Sequence, residues 1–296
     1  MVYLQHFGLR EPPYSITPDT IFFFACTGIQ EALNTLVVAV ANGEGFIKIT
    51  GEVGTGKTLL CCKFLATLDD SWVSAYIPNP SLKPETFLVA LAEELGVKLG
   101  TGFDQHQLIK ELNFALLNYA RNKKRVVVCL DEAQAMPVET LETLRLLTNL
   151  ETEKRKLAQV VIFGQPELDQ KLASESIRQL RQRITFQHHL GSMTSEETSH
   201  YLSHRLRIAG YSGEPVFTGS AVQAIHRASR GIPRLINILA NKAMMLVFGE
   251  GGRKVTWRNA RAAVSDTPAA FSAAQAWLWL ALACMAGIGI GWLLWR

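Results

Sequence analysis

The stretch that most constrains this chain is Phe46 to Thr58, which reads Phe-Ile-Lys-Ile-Thr-Gly-Glu-Val-Gly-Thr-Gly-Lys-Thr. Phe46 to Thr50 is a short β-rich run, and a helical run opens at Thr58. Between them Gly51, Glu52, Val53, Gly54, Thr55, Gly56, Lys57 and Thr58 complete the pattern G-x-x-x-x-G-K-[ST], and Leu59 is counted with the same loop. The residue types follow from the chemistry of phosphate. Glycines let the backbone turn tightly and aim its N–H groups at phosphate oxygens, and the helix that follows adds unpaired amides and the positive end of its dipole. Lys57 is placed to reach the β- and γ-phosphates, and the Thr58 hydroxyl to take a Mg²⁺ coordination site. A nucleoside triphosphate is the ligand this pattern implies.

A phosphate loop of this kind requires a partner strand that ends in acid. Arg125-Val-Val-Val-Cys-Leu is a continuous apolar run of the sort found in central parallel strands, and it ends in Asp131 and Glu132. This is the Walker B pattern, with Asp131 expected to hold Mg²⁺ and Glu132 to polarise the attacking water. Gln159-Val-Val-Ile-Phe-Gly is a further strand, ending at Gln165, which is expected between the two motifs, where it would orient water or touch the γ-phosphate. Arg178, Arg181 and Arg183 follow at the expected sheet edge and are candidates for an arginine finger acting across a subunit interface.

From Thr194 the pattern is helical alone. Ser195-Glu-Glu-Thr opens a helix that runs to Ala209, Ser220 to Arg230 is a second, and Gly231-Ile-Pro233-Arg234 starts a third. Arg234 near a helix N-terminus gains nothing from the dipole, which suggests an anionic ligand, here the γ-phosphate. The division expected is an N-terminal segment packing on the core (1–44), a nucleotide-binding core (45–190), a helical lid (191–266), a linker (267–276) and a membrane helix (277–295).

That last segment runs from Trp277 to Trp295 without a charge, close to the ~20 residues a membrane helix needs, with Trp277, Trp279, Trp292 and Trp295 at its ends. Arg253, Lys254, Arg258 and Arg261 precede it, so the positive-inside bias puts the preceding domain in the cytoplasm. The net charge of +4 is too mild to imply nucleic acid by itself, and Arg178, Arg181 and Arg183 with the basic stretch Lys154-Arg-Lys156 keep that partner open. Cys26, Cys61, Cys62, Cys129 and Cys284 include no C-x-x-C spacing and suit free thiols in a reducing compartment.

The ordered set of motifs resembles the AAA+ ATPases. More narrowly, Phe7-Gly-Leu-Arg-Glu-Pro-Pro-Tyr-Ser-Ile-Thr-Pro-Asp, Leu-Asp-Glu-Ala-Gln, Gly-Gln-Pro-Glu-Leu, His204-Arg-Leu and Gly-Ile-Pro-Arg-Leu-Ile-Asn are similar to the general-secretion protein A (ExeA-like) family. The resemblance implies an α/β P-loop core with a small all-α lid, ATP and Mg²⁺ as cofactors, and ATP hydrolysis. It also implies a ring- or oligomer-forming protein with Gln165 as sensor 1, Arg183 as finger and Arg234 as sensor 2. Its partners would be inner-membrane proteins of a type IV (MSHA-like) pilus or of a type II secretion-related complex. Two alternatives from other classes stay open: a DNA-transaction ATPase of the transposition-helper or origin-binding kind, and a nucleotide-gated scaffold with little turnover. The modest charge, and the lack of room after the lid for a DNA-reading domain, stand against the former.

Overall fold

The computed structural model describes residues 2–100, 102–147, 151–152 and 155–270. The chain forms two compact units, one of Ala25–Gly191 and the other of Met1–Phe24 with the chain from Ser192 onward. The N-terminal segment expected as one piece over 1–44 is therefore divided: residues 1–24, which begin with helix α1 (Val2–Phe7), group with the helical unit, and the remainder with the sheet.

In the first unit strands and helices alternate. Helix α2 (Thr27–Ala41) leads to β1 (Phe46–Gly51), α3 (Lys57–Leu65), β2 (Trp72–Ile77), α4 (Pro84–Glu94), α5 (Gln105–Arg121) and β3 (Arg125–Leu130). After α6 (Val138–Leu147) come β4 (Glu151–Thr152) and β5 (Arg155–Lys156), a small antiparallel hairpin that the sequence showed only as a basic stretch. Then follow β6 (Ala158–Gly164), α7 (Glu167–Leu172), α8 (Arg178–Arg181) and β7 (Ile184–Leu190). The five longer strands form one parallel sheet in the order β2-β3-β6-β1-β7. Parallel neighbours need a crossover, and the intervening helices supply it while covering the sheet.

Burial follows from that cover. β6 is buried throughout and β3 everywhere except Arg125, whereas edge strand β7 alternates half-buried and exposed positions before ending at buried Leu190. Phe87, Leu88, Leu112, Leu130 and Met136 are fully enclosed in the core beside the sheet. Each such side chain contributes roughly 1.5–3 kcal/mol relative to exposure. Helix α5 is fixed at its start by a capping box, Asp104 accepting from the Gln107 amide at 2.8 Å and Gln107 accepting from the Asp104 amide at 2.9 Å.

The second unit packs α9 (Ser195–Ile208), α10 (Gly219–Ser229), α11 (Pro233–Gly249) and a further helix, α12 (Trp257–Ser265). Helix α9 opens at Ser195 as the Ser-Glu-Glu-Thr string suggests, and the residue before it, Thr194, caps it in a capping box with Glu197. Arg205 of α9 is 4% exposed, and among the described residues it forms no salt bridge with a carboxylate. Its guanidinium donates to the carbonyls of Pro13 and Ser15 and, at 2.9 Å, to the Tyr201 hydroxyl, and it lies 4.6 Å from the centre of the Phe22 ring. Asn237 donates to the same Ser15 carbonyl at 3.1 Å, and the buried Tyr14 hydroxyl donates to the Leu202 carbonyl at 2.9 Å. Carbonyl oxygens and an aromatic face thus satisfy a buried cation, which explains why the turn-rich opening segment belongs to this unit.

The expected membrane helix, 277–295, lies outside the described residues, as does most of the linker. Among the described residues no helix is long and apolar enough to cross a membrane.

Candidate active site

Three neighbouring strands, β3, β6 and β1, end together. Thr50 of β1 lies opposite Gly164 of β6, and Ile162 of β6 opposite Leu130 of β3. The residues that follow these ends are Gly51 with its loop, Gln165, and Asp131 with Glu132. Ligands of open α/β sheets bind outside such carboxyl ends. The sequence placed Gln165 between the two motifs, and the strand order puts it there.

The loop after β1 turns on Gly56, whose backbone is left-handed (φ 100°) immediately before α3. A side chain in that conformation is strained, and the following helix would then not start at Lys57. Lys57 is 5% exposed and folds back over the loop, its ammonium donating to the carbonyls of Gly51 at 2.8 Å and Glu52 at 2.9 Å. Burial lowers its pKa, against the opposing pull of Glu132, Asp131, Glu52 and Glu167. An ammonium held only by two carbonyls is poised to exchange them for phosphate oxygens.

Thr58, one residue on, donates its hydroxyl to Asp131 Oδ2 at 2.5 Å, so the two motifs meet through side chains 73 positions apart in the chain. Asp131 is 2% exposed. Burial raises its pKa, while the hydrogen bonds from Thr58 and from the Glu132 amide work the other way. A hydroxyl and a carboxylate at one point are hard oxygen donors. They suit Mg²⁺, which takes one or two protein oxygens and completes its shell with phosphates and water.

Glu132 has a left-handed backbone (φ 52°, ψ 36°), one of three such non-glycine residues in the described chain. That conformation is uncommon for a residue with a side chain, and it occurs disproportionately at functional sites. The Asp131 carboxylate accepts from the Glu132 amide at 2.9 Å, and a single 3-10 turn follows at Ala133–Ala135. The Glu132 carboxylate accepts from Gln165 Nε2 at 3.1 Å and from Gln134 Nε2 at 2.5 Å, both on Oε2. Gln134 closes the Leu-Asp-Glu-Ala-Gln string, but the sequence assigns it no role of its own.

The remaining candidates stand elsewhere. Arg178 and Arg181 are exposed on α8, and Arg183 is half-buried just before β7. Because β7 pairs Ile184 with Phe46 and Leu190 with Gly51, Arg183 stands at the opposite end of the sheet from the phosphate loop of its own chain. At about 3.3 Å per residue that separation is roughly 20 Å. Arg234 is exposed at the first turn of α11 in the helical unit, after a Pro at the helix start as the sequence predicts. The preceding Gly231 is left-handed (φ 73°), and a Cβ there would come within 2.1 Å of the Met193 carbonyl, so the Gly-Ile-Pro-Arg turn admits no other residue at that position without rearrangement.

Residues 40–172 match the AAA domain family. Over 254 residues the chain is 42% identical to General secretion pathway protein A of Aeromonas hydrophila, a match that takes in 86% of this chain and 46% of that protein. The chain therefore spans about half the length of the curated relative it matches. Among solved structures it is similar to Drosophila ORC bound to DNA (TM-score 0.63, 17% identity, 86% of this chain and 64% of that one). It is also similar to the Aeropyrum pernix ORC2 protein in ADPNP and ADP complexes (TM-score 0.60, 18% identity, 86% and 73%). A third likeness is to the Thermotoga maritima RuvB Holliday junction branch migration motor (TM-score 0.55, 15% identity, 83% and 73%). At these identities the structural likeness speaks to fold alone. The fold is thus the P-loop α/β fold of AAA proteins, and most of the chain is similar in sequence to a general-secretion protein A.

Proposed function

We propose that this protein is an ATPase of the AAA+ kind that works at the bacterial inner membrane, supporting assembly of a type IV (MSHA-like) pilus or a type II secretion-related envelope complex. The observation that carries the catalytic half is the meeting of the phosphate loop, the Thr58–Asp131 pair and the Glu132–Gln165 pair at three adjacent strand ends. The loop amides of Gly51 to Leu59 with Lys57 would hold the triphosphate, and Thr58 and Asp131 would hold its Mg²⁺. That ion neutralises charge on the transferring phosphoryl group when bound. Glu132 then polarises water, with Gln165 as sensor 1 beside it.

Arg183 acts in trans on this reading. Roughly 20 Å of strand separates it from its own loop, so phosphate chemistry reaches it only in a neighbouring copy. Arg234 is the sensor 2 cation, set at the start of a lid helix. The biological half rests on the resemblance to General secretion pathway protein A and, more finely, to the pilus ATPase MshM, with residues 277–295 as the membrane anchor.

The test is Glu132→Gln in the full chain, with ATP affinity and turnover measured separately. The expected outcome is retained ATP binding with turnover lowered by roughly 100-fold or more. Unchanged turnover would remove Glu132 from the chemistry.

A further inference from the structure

Hydrogen-bond chemistry fixes which way Gln134 faces. The Gln165 backbone amide can only donate, and it points at Gln134 at 3.0 Å, so the atom there is the side-chain oxygen. The Gln134 Nε2 is then turned to the Glu132 carboxylate, an acceptor, at 2.5 Å. No other orientation satisfies both contacts. One side chain thereby bridges the acid after β3 and the first residue after β6. The backbone beneath it is fixed as well: Lys171 of α7 donates its ammonium to the Gln134 carbonyl and, at 2.6 Å, to that of Met136.

The consequence for Glu132 is directional. Both amide donors, from Gln134 and Gln165, engage Oε2, and among the described residues Oε1 has no hydrogen-bond partner. A carboxylate held by one oxygen presents the other in a fixed direction. We infer that Gln134 is a positioning residue for hydrolysis: it locks the Glu132 carboxylate so that Oε1 faces the attacking water, and it couples that orientation to the end of β6. The inference rests on reading Glu132 as the water-polarising acid. Gln134 touches neither nucleotide nor water in this role. Its effect is transmitted through Glu132, whose left-handed backbone needs such an external restraint.

The experiment is a double-mutant cycle in the full chain with Gln134→Leu, which is close in size and removes both hydrogen bonds, and Glu132→Gln. ATP affinity is measured beside turnover for each protein. Gln134→Leu is expected to lower turnover roughly 10- to 100-fold, the scale of a misplaced catalytic group, with ATP affinity within twofold of wild type. The double variant is expected to be no slower than Glu132→Gln alone, because residues acting as a unit are not additive. Gln134→Glu is a second probe, isosteric and still able to accept from the Gln165 amide, but it sets a carboxylate against Glu132 and should slow turnover at least as much.

Full turnover in Gln134→Leu and Gln134→Glu, while Glu132→Gln is inactive, overturns this inference alone. A parallel loss of ATP affinity and turnover, or a loss that multiplies that of Glu132→Gln, also overturns it. Full turnover in Glu132→Gln itself overturns the reading of Glu132 and this inference with it.

Discussion

Each unit of the molecule buries charge, and the two do so in opposite ways. In the helical unit each guanidinium nitrogen of Arg205 donates to a protein oxygen, and an aromatic ring lies beside it. In the sheet unit Lys57 and Asp131 are as deeply buried, yet their surroundings oppose their charged forms: burial lowers the pKa of the one and raises that of the other. The first arrangement is complete without a ligand. On the proposed function the second would be completed by one, a triphosphate offering anionic oxygens to Lys57 and its Mg²⁺ a cation to Asp131. A buried charge alone therefore says little about function, and the groups left to compensate it say a great deal.

Substitutions that separate ligand binding from stability would break or sharpen that contrast. The largest effect is expected at Lys57→Ala, which should weaken ATP binding by 100-fold or more, a loss of about 2.7 kcal/mol or greater, measured by calorimetric titration. Unchanged affinity would mean that Lys57 is a structural cation like Arg205. Next in size, Arg205→Ala should destabilise the helical unit by about 2–4 kcal/mol, because the carbonyls of Pro13 and Ser15 lose their donor and a packed aliphatic stem disappears. Thermal melting would show it, and an unchanged melting curve would mean the opening segment is held by other contacts.

The smallest effect, and the most specific, concerns Asp131→Asn without nucleotide or Mg²⁺. The folded-state pKa of Asp131 lies above its unfolded value, so the wild type loses stability as pH rises from the ordinary carboxylate range, near 3.9, through that raised value. An amide carries no such burden: its oxygen accepts from the Glu132 amide, and its nitrogen donates to the Thr58 hydroxyl, which can accept as well as donate. The variant should thus melt higher than wild type at pH 7, with the margin vanishing below about pH 4. A wild type more stable than the variant at pH 7 would contradict the assignment of burial as the dominant influence on Asp131.

Much of the sheet unit was legible in the sequence because its signals are local. The phosphate loop declares a strand, a turn and a helix within thirteen consecutive residues, Phe46 to Thr58, and the apolar run before Asp131 marks a strand buried on both faces. Helix α11 announces itself through Pro233, and α9 through the Ser195-Glu-Glu-Thr start. What escaped was set by distant partners. Residues 1–24 carry turn signals but nothing that says they join the helical unit, because that is decided by the Arg205 and Asn237 side chains roughly two hundred positions later. Gln134 escaped for a related reason. Its neighbour in sequence is Glu132, but its meaning comes from the Gln165 amide on another strand. The β4–β5 hairpin is only two residues on each side, too short for any alternation to register.

The proposal that the ATPase site is completed between copies is tested by ATP turnover of the full chain across a wide range of protein concentration. Specific activity is expected to rise steeply with concentration and then saturate, with Arg183→Ala low throughout while still binding ATP. Turnover that is flat with concentration, or equal in Arg183→Ala, would contradict it.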